Sequence, residues 1–357
     1  MSDVMSKIGQ GISNLVRKQY FWGIIAIVLL LGINVLKDPT YLSITVSEAN
    51  GNLVGNLIDI LRAAAPIMMI AVGMCLVIAT SGIDLSVGSL MVVAGAVSME
   101  TLKSADNTLG AALGALILAL VIAAFLGAFN GFLVSIVGLQ PFISTLVMML
   151  AGRGIAKVIT GGQNTAATNG SFRWIANGYV FGLPVVFLIA VLVVIAVGIL
   201  VRRSALGLMI EAIGMDPRAA RLAGVNRKGL LLMVYSTSGV LAGIAGVFAT
   251  ASVMTVDVSR TGYQMELDAI LAVVIGGTSL AGGKFSLSGA FVGSLLIATL
   301  DKTVVFLGIS SSATPAFKAI VIVALCLLQS ERVRALFRGR GLAQGQNKTE
   351  KKELVAA

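Results

Sequence analysis

Apolar residues in this chain come in long unbroken runs rather than in alternation, near residues 21–36, 61–80, 85–103, 109–127, 141–160, 179–201, 229–251, 268–281, 286–308 and 315–330. A helix needs roughly 20 apolar residues to cross a hydrocarbon core, whereas a barrel strand alternates lipid-facing and lumen-facing side chains. The pattern therefore predicts an all-α polytopic membrane protein of about ten transmembrane helices. Residues 1–20 read as a tail, 21–330 as the transmembrane domain and 331–357 as a second tail of polar, basic composition. The first run follows a basic region and lacks a small-residue cleavage pattern, so it reads as a retained helix rather than a signal peptide. The run from Ile270 to Lys284 is short and carries Gly276, Gly277, Gly282 and Gly283. It reads either as a broken or re-entrant helix, which must line a cavity or a protein interface, or as a short span ending in a tight turn. The close spacing of Gly239, Gly243 and Gly246 marks helix packing.

Composition fits this reading, since 57% hydrophobic and 12% charged residues leave too little polar surface for a water-soluble globule. Lys and Arg total 26 against 16 Asp and Glu, a surplus that in a soluble protein would suggest nucleic acid. Here the bases gather in the N-terminal tail (Lys7, Arg17, Lys18), in the segment 202–228, and in the C-terminal tail (Arg332, Arg334, Arg338, Arg340). That is the positive-inside distribution of a membrane protein, and no nucleic-acid partner is expected. Both termini and the 202–228 segment are expected to be cytoplasmic, with the connections 37–60, 161–178, 252–267 and 309–314 outside. The chain has no His, which excludes histidine-based catalysis and histidine-ligated metals. Cys75 and Cys326 lie in apolar runs and read as small hydrophobes.

The most informative polar interruption is 202–228. Leu206, Met209, Ile210 and Ile213 recur at helical spacing, Asp216-Pro217 supplies a cap followed by a first-turn proline, and Gly224 stops a second short helix. Two short helices, basic and small on one side and apolar on the other, form a protrusion that a soluble partner could grip; basic loops also arise merely from topology.

The stretch from Glu211 through Ala212, Gly214, Asp216, Pro217, Arg218, Ala219, Ala220 and Arg221 to Gly224 and Asn226 resembles the coupling-helix segment of the permease subunits of bacterial ATP-binding-cassette importers for monosaccharides, the ribose and galactose group. The run from Thr80 through Gly82, Asp84 and Ser86 to Ser89 is similar to another signature of that group. So are Asn130-Gly131 with Gln140-Pro141-Phe142, Ala151-Gly152-Arg153-Gly154, and Glu266 with Asp268 running on to Gly283. The nearest likeness within the group is a galactofuranose-type permease. The match covers roughly residues 60–330 and is specific through its motifs together.

The resemblance implies a permease domain over 21–330, in the bacterial inner membrane, that couples to a separate cytoplasmic ATPase through Glu211, Ala212, Gly214, Asp216, Arg218, Ala219, Ala220 and Gly224. It also implies a periplasmic sugar-binding protein and a second permease copy, identical or related. The chain carries no Gly-x-x-x-x-Gly-Lys-[Ser/Thr] loop, so ATP and magnesium belong to the partner and no cofactor is expected here.

Pathway candidates are Asp84, Ser86, Asn130, Gln140, Phe142, Glu266 and Asp268, since amides, hydroxyls, carboxylates and a ring suit a polar solute. Each has a structural counter-reading. Asp84 reads preferentially as the cap of a helix beginning near Leu85, the amides and Phe142 read equally as capping and packing residues, and Glu266 with Asp268 equally as complements to a helix start. Two carboxylates two residues apart point to different faces of a helix and do not make a glycosidase pair. Asp301 and Lys302, adjacent in an apolar run, cannot face each other and each needs a partner. The alternative function is an ion-coupled secondary transporter of a small polar solute, which would use intramembrane carboxylates. An embedded enzyme lacks any nucleophile with an evident base.

Overall fold

The computed structural model of the chain describes residues 20–47, 51–310 and 312–329; the tail residues named above lie outside them. In chain order the helices are α1 (Tyr20–Lys37), α2 (Asn56–Ala79), α3 (Val87–Lys103), α4 (Leu109–Phe132), α5 (Pro141–Ile159), α6 (Gly170–Asn177) and α7 (Val185–Arg203). They continue with α8 (Leu206–Met215), α9 (Pro217–Leu222), α10 (Arg227–Val253), α11 (Met265–Ile275), α12 (Leu287–Leu307) and α13 (Thr314–Gln329). Every apolar run of the sequence becomes one of these helices. Among the described residues seven, α1, α2, α4, α5, α7, α10 and α12, are long and apolar enough to cross a membrane. The runs that became α3, α11 and α13 are shorter, at 17, 11 and 16 residues.

Polar and glycine residues explain the shortening. Thr80–Ser86 leaves α2 and delays α3, and Gly276–Ser286 ends α11. The run at 179–201 gives a helix only from Val185, because β4 (Tyr179–Val180) turns back on β5 (Leu183–Pro184). Two further antiparallel pairs tie the connections expected outside. β1 (Thr45–Val46) pairs with β2 (Leu53–Val54), and β3 (Thr165–Ala166) pairs with β6 (Thr255–Val256), so 161–178 and 252–267 share one end of the molecule.

α2, α3 and α10 form the centre. From Ala64 to Ala79 nearly every residue of α2 is buried, as is α3 from Val87 to Met99. Small residues make the close approaches possible. A Cβ on Gly239 of α10 would lie 2.4 Å from the Ala123 carbonyl oxygen on α4, and one on Gly246 would lie 2.2 Å from the Met91 carbonyl oxygen on α3. The Gly239-Gly243-Gly246 stripe is thus a packing seam. α1 and α7 lie at the rim, with most of their side chains outward. α1 is fixed to α12 by Asn34, whose amide donates to Thr303 Oγ1 at 2.8 Å.

Candidate functional site

The segment after α7 folds as its sequence pattern predicts. α8 buries Ile210 and Ile213 against the bundle. Asp216 caps α9, its Oδ1 accepting from the backbone N–H of Arg218 at 2.8 Å and of Ala219 at 3.1 Å, with Pro217 in the first turn. Gly224, at φ +85°, ends α9, and the Val225 N–H returns to the Ala220 carbonyl at 3.0 Å, the bond pattern that closes a helix on a left-handed glycine. The outer surface of this knob carries Leu208, Met215 and Leu222, the last 90% exposed, beside the exposed Arg218 and Arg221. Asp216, Ala219 and Gly224 share that surface, Glu211 and Ala212 are half-buried, and Gly214 and Ala220 are buried.

Gly214 is the seat of the knob. A Cβ there would stand 1.9 Å from the Ala79 carbonyl oxygen at the end of α2 and 2.4 Å from the Gly283 amide nitrogen. Gly283 N–H donates to that Ala79 carbonyl at 2.9 Å. The Ser81 hydroxyl lies within hydrogen-bond distance of the carbonyls of Gly214 (2.8 Å) and Ala281 (3.0 Å). The end of α8, the turn after α2 and the glycine-rich leg after α11 are therefore one joint. The glycine-rich run is a short helix followed by turns: α11 stops at Ile275, and Gly277, Gly282 and Gly283 adopt positive φ. Gly276, Thr278 and Gly283 are buried within the protein, while Ser279, Leu280, Ala281 and Lys284 are exposed.

From Ser81 the chain runs into the interior and delivers Asp84, which is fully buried. Its Oδ1 accepts from the Ser86 N–H at 3.0 Å and the Ser86 hydroxyl at 2.5 Å, and its Oδ2 accepts from the Ser238 hydroxyl at 2.8 Å. Asn130 donates to Ser86 Oγ at 2.8 Å, and Thr145 Oγ1 reaches the Ile83 carbonyl at 3.1 Å. Asp84 thus fixes the turn ahead of α3, whose cap position is Ser86, and joins α3, α4, α5 and α10 in one polar hub. The structure brings Asp84, Ser86 and Asn130 together. Gln140 and Phe142 stay apart, exposed at the start of α5. Ser238 was missed; the polar run Ser236-Thr237-Ser238 inside an apolar segment is the signal that marks it.

Glu266 and Asp268 sit in the first turn of α11 and do face different ways. Glu266 approaches α3, where a Cβ on Gly88 would lie 2.5 Å from its Oε2. Asp268 faces α13, where Lys318 Nζ contacts both its oxygens at 2.9 Å and also Asp301 at 2.8 Å. Lys302 pairs with Asp59 at 2.6 Å. These are the partners that Asp301 and Lys302 needed, supplied by segments distant in sequence. Lys318→Met would leave two carboxylates facing each other without their cation, in a site where Lys318 and Asp268 are mostly buried. The expected result is a lower unfolding temperature in detergent, partly recovered when Asp268→Asn is added; an unchanged temperature in the single variant would contradict this ion triad.

A bundle of apolar helices around a buried polar hub, with a basic two-helix knob jointed to its central helix, defines a membrane permease. A family model described as the permease component of branched-chain amino acid transport systems matches residues 56–329, and the chain belongs to that family. It is 49% identical over 329 residues to a fructose import permease of Bifidobacterium longum, a match covering 91% of each chain. A galactofuranose transporter permease of Escherichia coli is 40% identical over 88% of this chain and 91% of its own. A ribose import permease of Escherichia coli is 38% identical over 87% and 93%. The galactofuranose-type likeness is therefore real but is exceeded by the fructose relative. No solved structure matches the chain.

Proposed function

We propose that this chain is the transmembrane subunit of an ATP-driven importer that carries a monosaccharide across the bacterial inner membrane by alternating access. A separate cytoplasmic ATPase of the ATP-binding-cassette class, holding ATP and magnesium, supplies the work. A periplasmic sugar-binding protein delivers the solute, and a second permease copy completes the pathway. The sugar class rests on the fructose, galactofuranose and ribose permeases to which the chain is similar. The observation that carries the coupling is the knob itself, which exposes Leu208, Met215 and Leu222 with Arg218 and Arg221 while Gly214 seats it on α2.

Burying three large apolar side chains on a partner removes surface that water otherwise disfavours, and the arginines give the dock a preferred register. Motion of the docked helices as a rigid unit would reach Ala79 and Ser81 through the joint, and from there the segment leading to Asp84. Ion coupling has less support, because the carboxylates Asp268 and Asp301 are occupied by Lys318 and Asp84 by three hydrogen-bond donors.

The test is uptake of radiolabelled D-fructose, D-ribose and D-galactose by cells with and without the intact gene. Loss of uptake of one of these on deletion, insensitive to a protonophore when ATP is maintained, is the expected outcome. Uptake that collapses with the proton gradient at constant ATP would overturn the ATP-driven reading.

A further inference from the structure

Near the end of the bundle opposite the knob, α2, α6, α7, α10 and α12 line an open cavity of about 400 Å³. Its wall carries Asp59, Arg62 and Pro66 from α2, Phe248 and Ser252 from α10, and Lys302 from α12. Three charged side chains in the mouth of an apolar bundle are costly unless wet, paired or used. Lys302 is paired with Asp59 at 2.6 Å. Arg62 donates to the Tyr179 hydroxyl through one Nη at 2.7 Å, but its Nε is buried without a partner.

Pro66 adds an acceptor. It lies inside α2 and has no N–H to offer the Arg62 carbonyl four residues earlier, so that carbonyl lacks its ordinary helical donor. The cavity wall thus carries a guanidinium, an ammonium, a carboxylate and a hydroxyl together with a phenyl ring. Such a balanced set suits a neutral solute bearing many hydroxyls, each both donor and acceptor, and the volume lies in the range of small-molecule sites. A fixed anion would meet Asp59, and a fixed cation would meet Arg62 and Lys302.

We propose that this cavity is the outer receiving site for the monosaccharide, with Lys302, Asp59 and Ser252 meeting the sugar hydroxyls and Phe248 its apolar face. The inference rests on the sugar-importer reading. It adds residues that none of the motifs marked.

Ala63→Leu and Ser252→Leu would fill the cavity, since both residues line it and Ala63 is exposed at its edge. In cells carrying the complete transporter, uptake of the labelled sugar that the parent carries should show KM raised at least tenfold, with the maximal rate within about twofold and membrane levels unchanged. A second measurement avoids reliance on a bulky variant. Ser252→Cys in membranes should react with a small thiol reagent beyond the parent's background, and millimolar sugar should slow that reaction. Parent-like KM in both filled variants, or labelling indifferent to sugar, overturns the site while leaving the importer reading intact. A parent that takes up no sugar overturns both.

Discussion

Gly214→Val is expected to abolish transport, with uptake lost by at least a hundredfold, while the protein still reaches the membrane. Even the first carbon of a side chain at that position would fall 1.9 Å from the Ala79 carbonyl oxygen, and that atom is backbone, unable to rotate away. The end of α8 would have to lift from α2 and break the contacts that Ser81 and Gly283 make across the joint. Overpacking of this kind costs about 1–3 kcal/mol, too little to unfold a bundle whose centre lies elsewhere. The knob would be displaced from the helix that it is proposed to move. Sugar uptake, quantified alongside membrane abundance by immunoblot, checks this. Parent-like uptake would show that the joint transmits nothing, and absence from the membrane would show that Gly214 serves folding instead.

Asp84→Ala carries the second large effect. It deletes the acceptor for the Ser86 N–H and for the hydroxyls of Ser86 and Ser238, in a place that water does not reach. Each stranded polar group costs about 1–3 kcal/mol, and three stand together here. The expected result is a strongly reduced yield of folded permease and an unfolding temperature in detergent lowered by many degrees. Asp84→Asn keeps an acceptor oxygen for one side of the hub and should recover part of the loss. If Asp84→Ala instead folds with parent-like stability yet fails in transport, the carboxylate belongs to the solute pathway rather than to the scaffold.

Much of this arrangement was legible in the sequence, and the reasons are local. The apolar runs fixed the helices because a span's length and composition are local properties. Asp216, Pro217 and Gly224 revealed α9 to the residue because caps act within one turn. What stayed hidden was long-range. No local pattern shows that Lys318 would lie between Asp268 and Asp301, or that Lys302 would meet Asp59. The seat of Gly214 on Ala79 joins residues far apart in the chain, and nothing near either one announces the other. The sequence favoured Asp84 as a cap over a pathway residue, but it did not show Ser238, which satisfies the second carboxylate oxygen from α10. Arg62 and Asp59 drew no attention because two charges near a helix start look ordinary until five helices are seen to line one cavity with them.

The central claim is that the 206–224 knob is the handle for an ATPase. It is tested most directly by purifying the tagged permease from detergent-solubilised native membranes and identifying what accompanies it. The parent chain should carry with it a nucleotide-hydrolysing subunit, and Arg218→Glu combined with Leu222→Asp, both exposed and remote from the joint, should lose that subunit while remaining folded. Equal capture of the ATPase by parent and variant, or none by the parent when the complete transporter is expressed, would contradict the account.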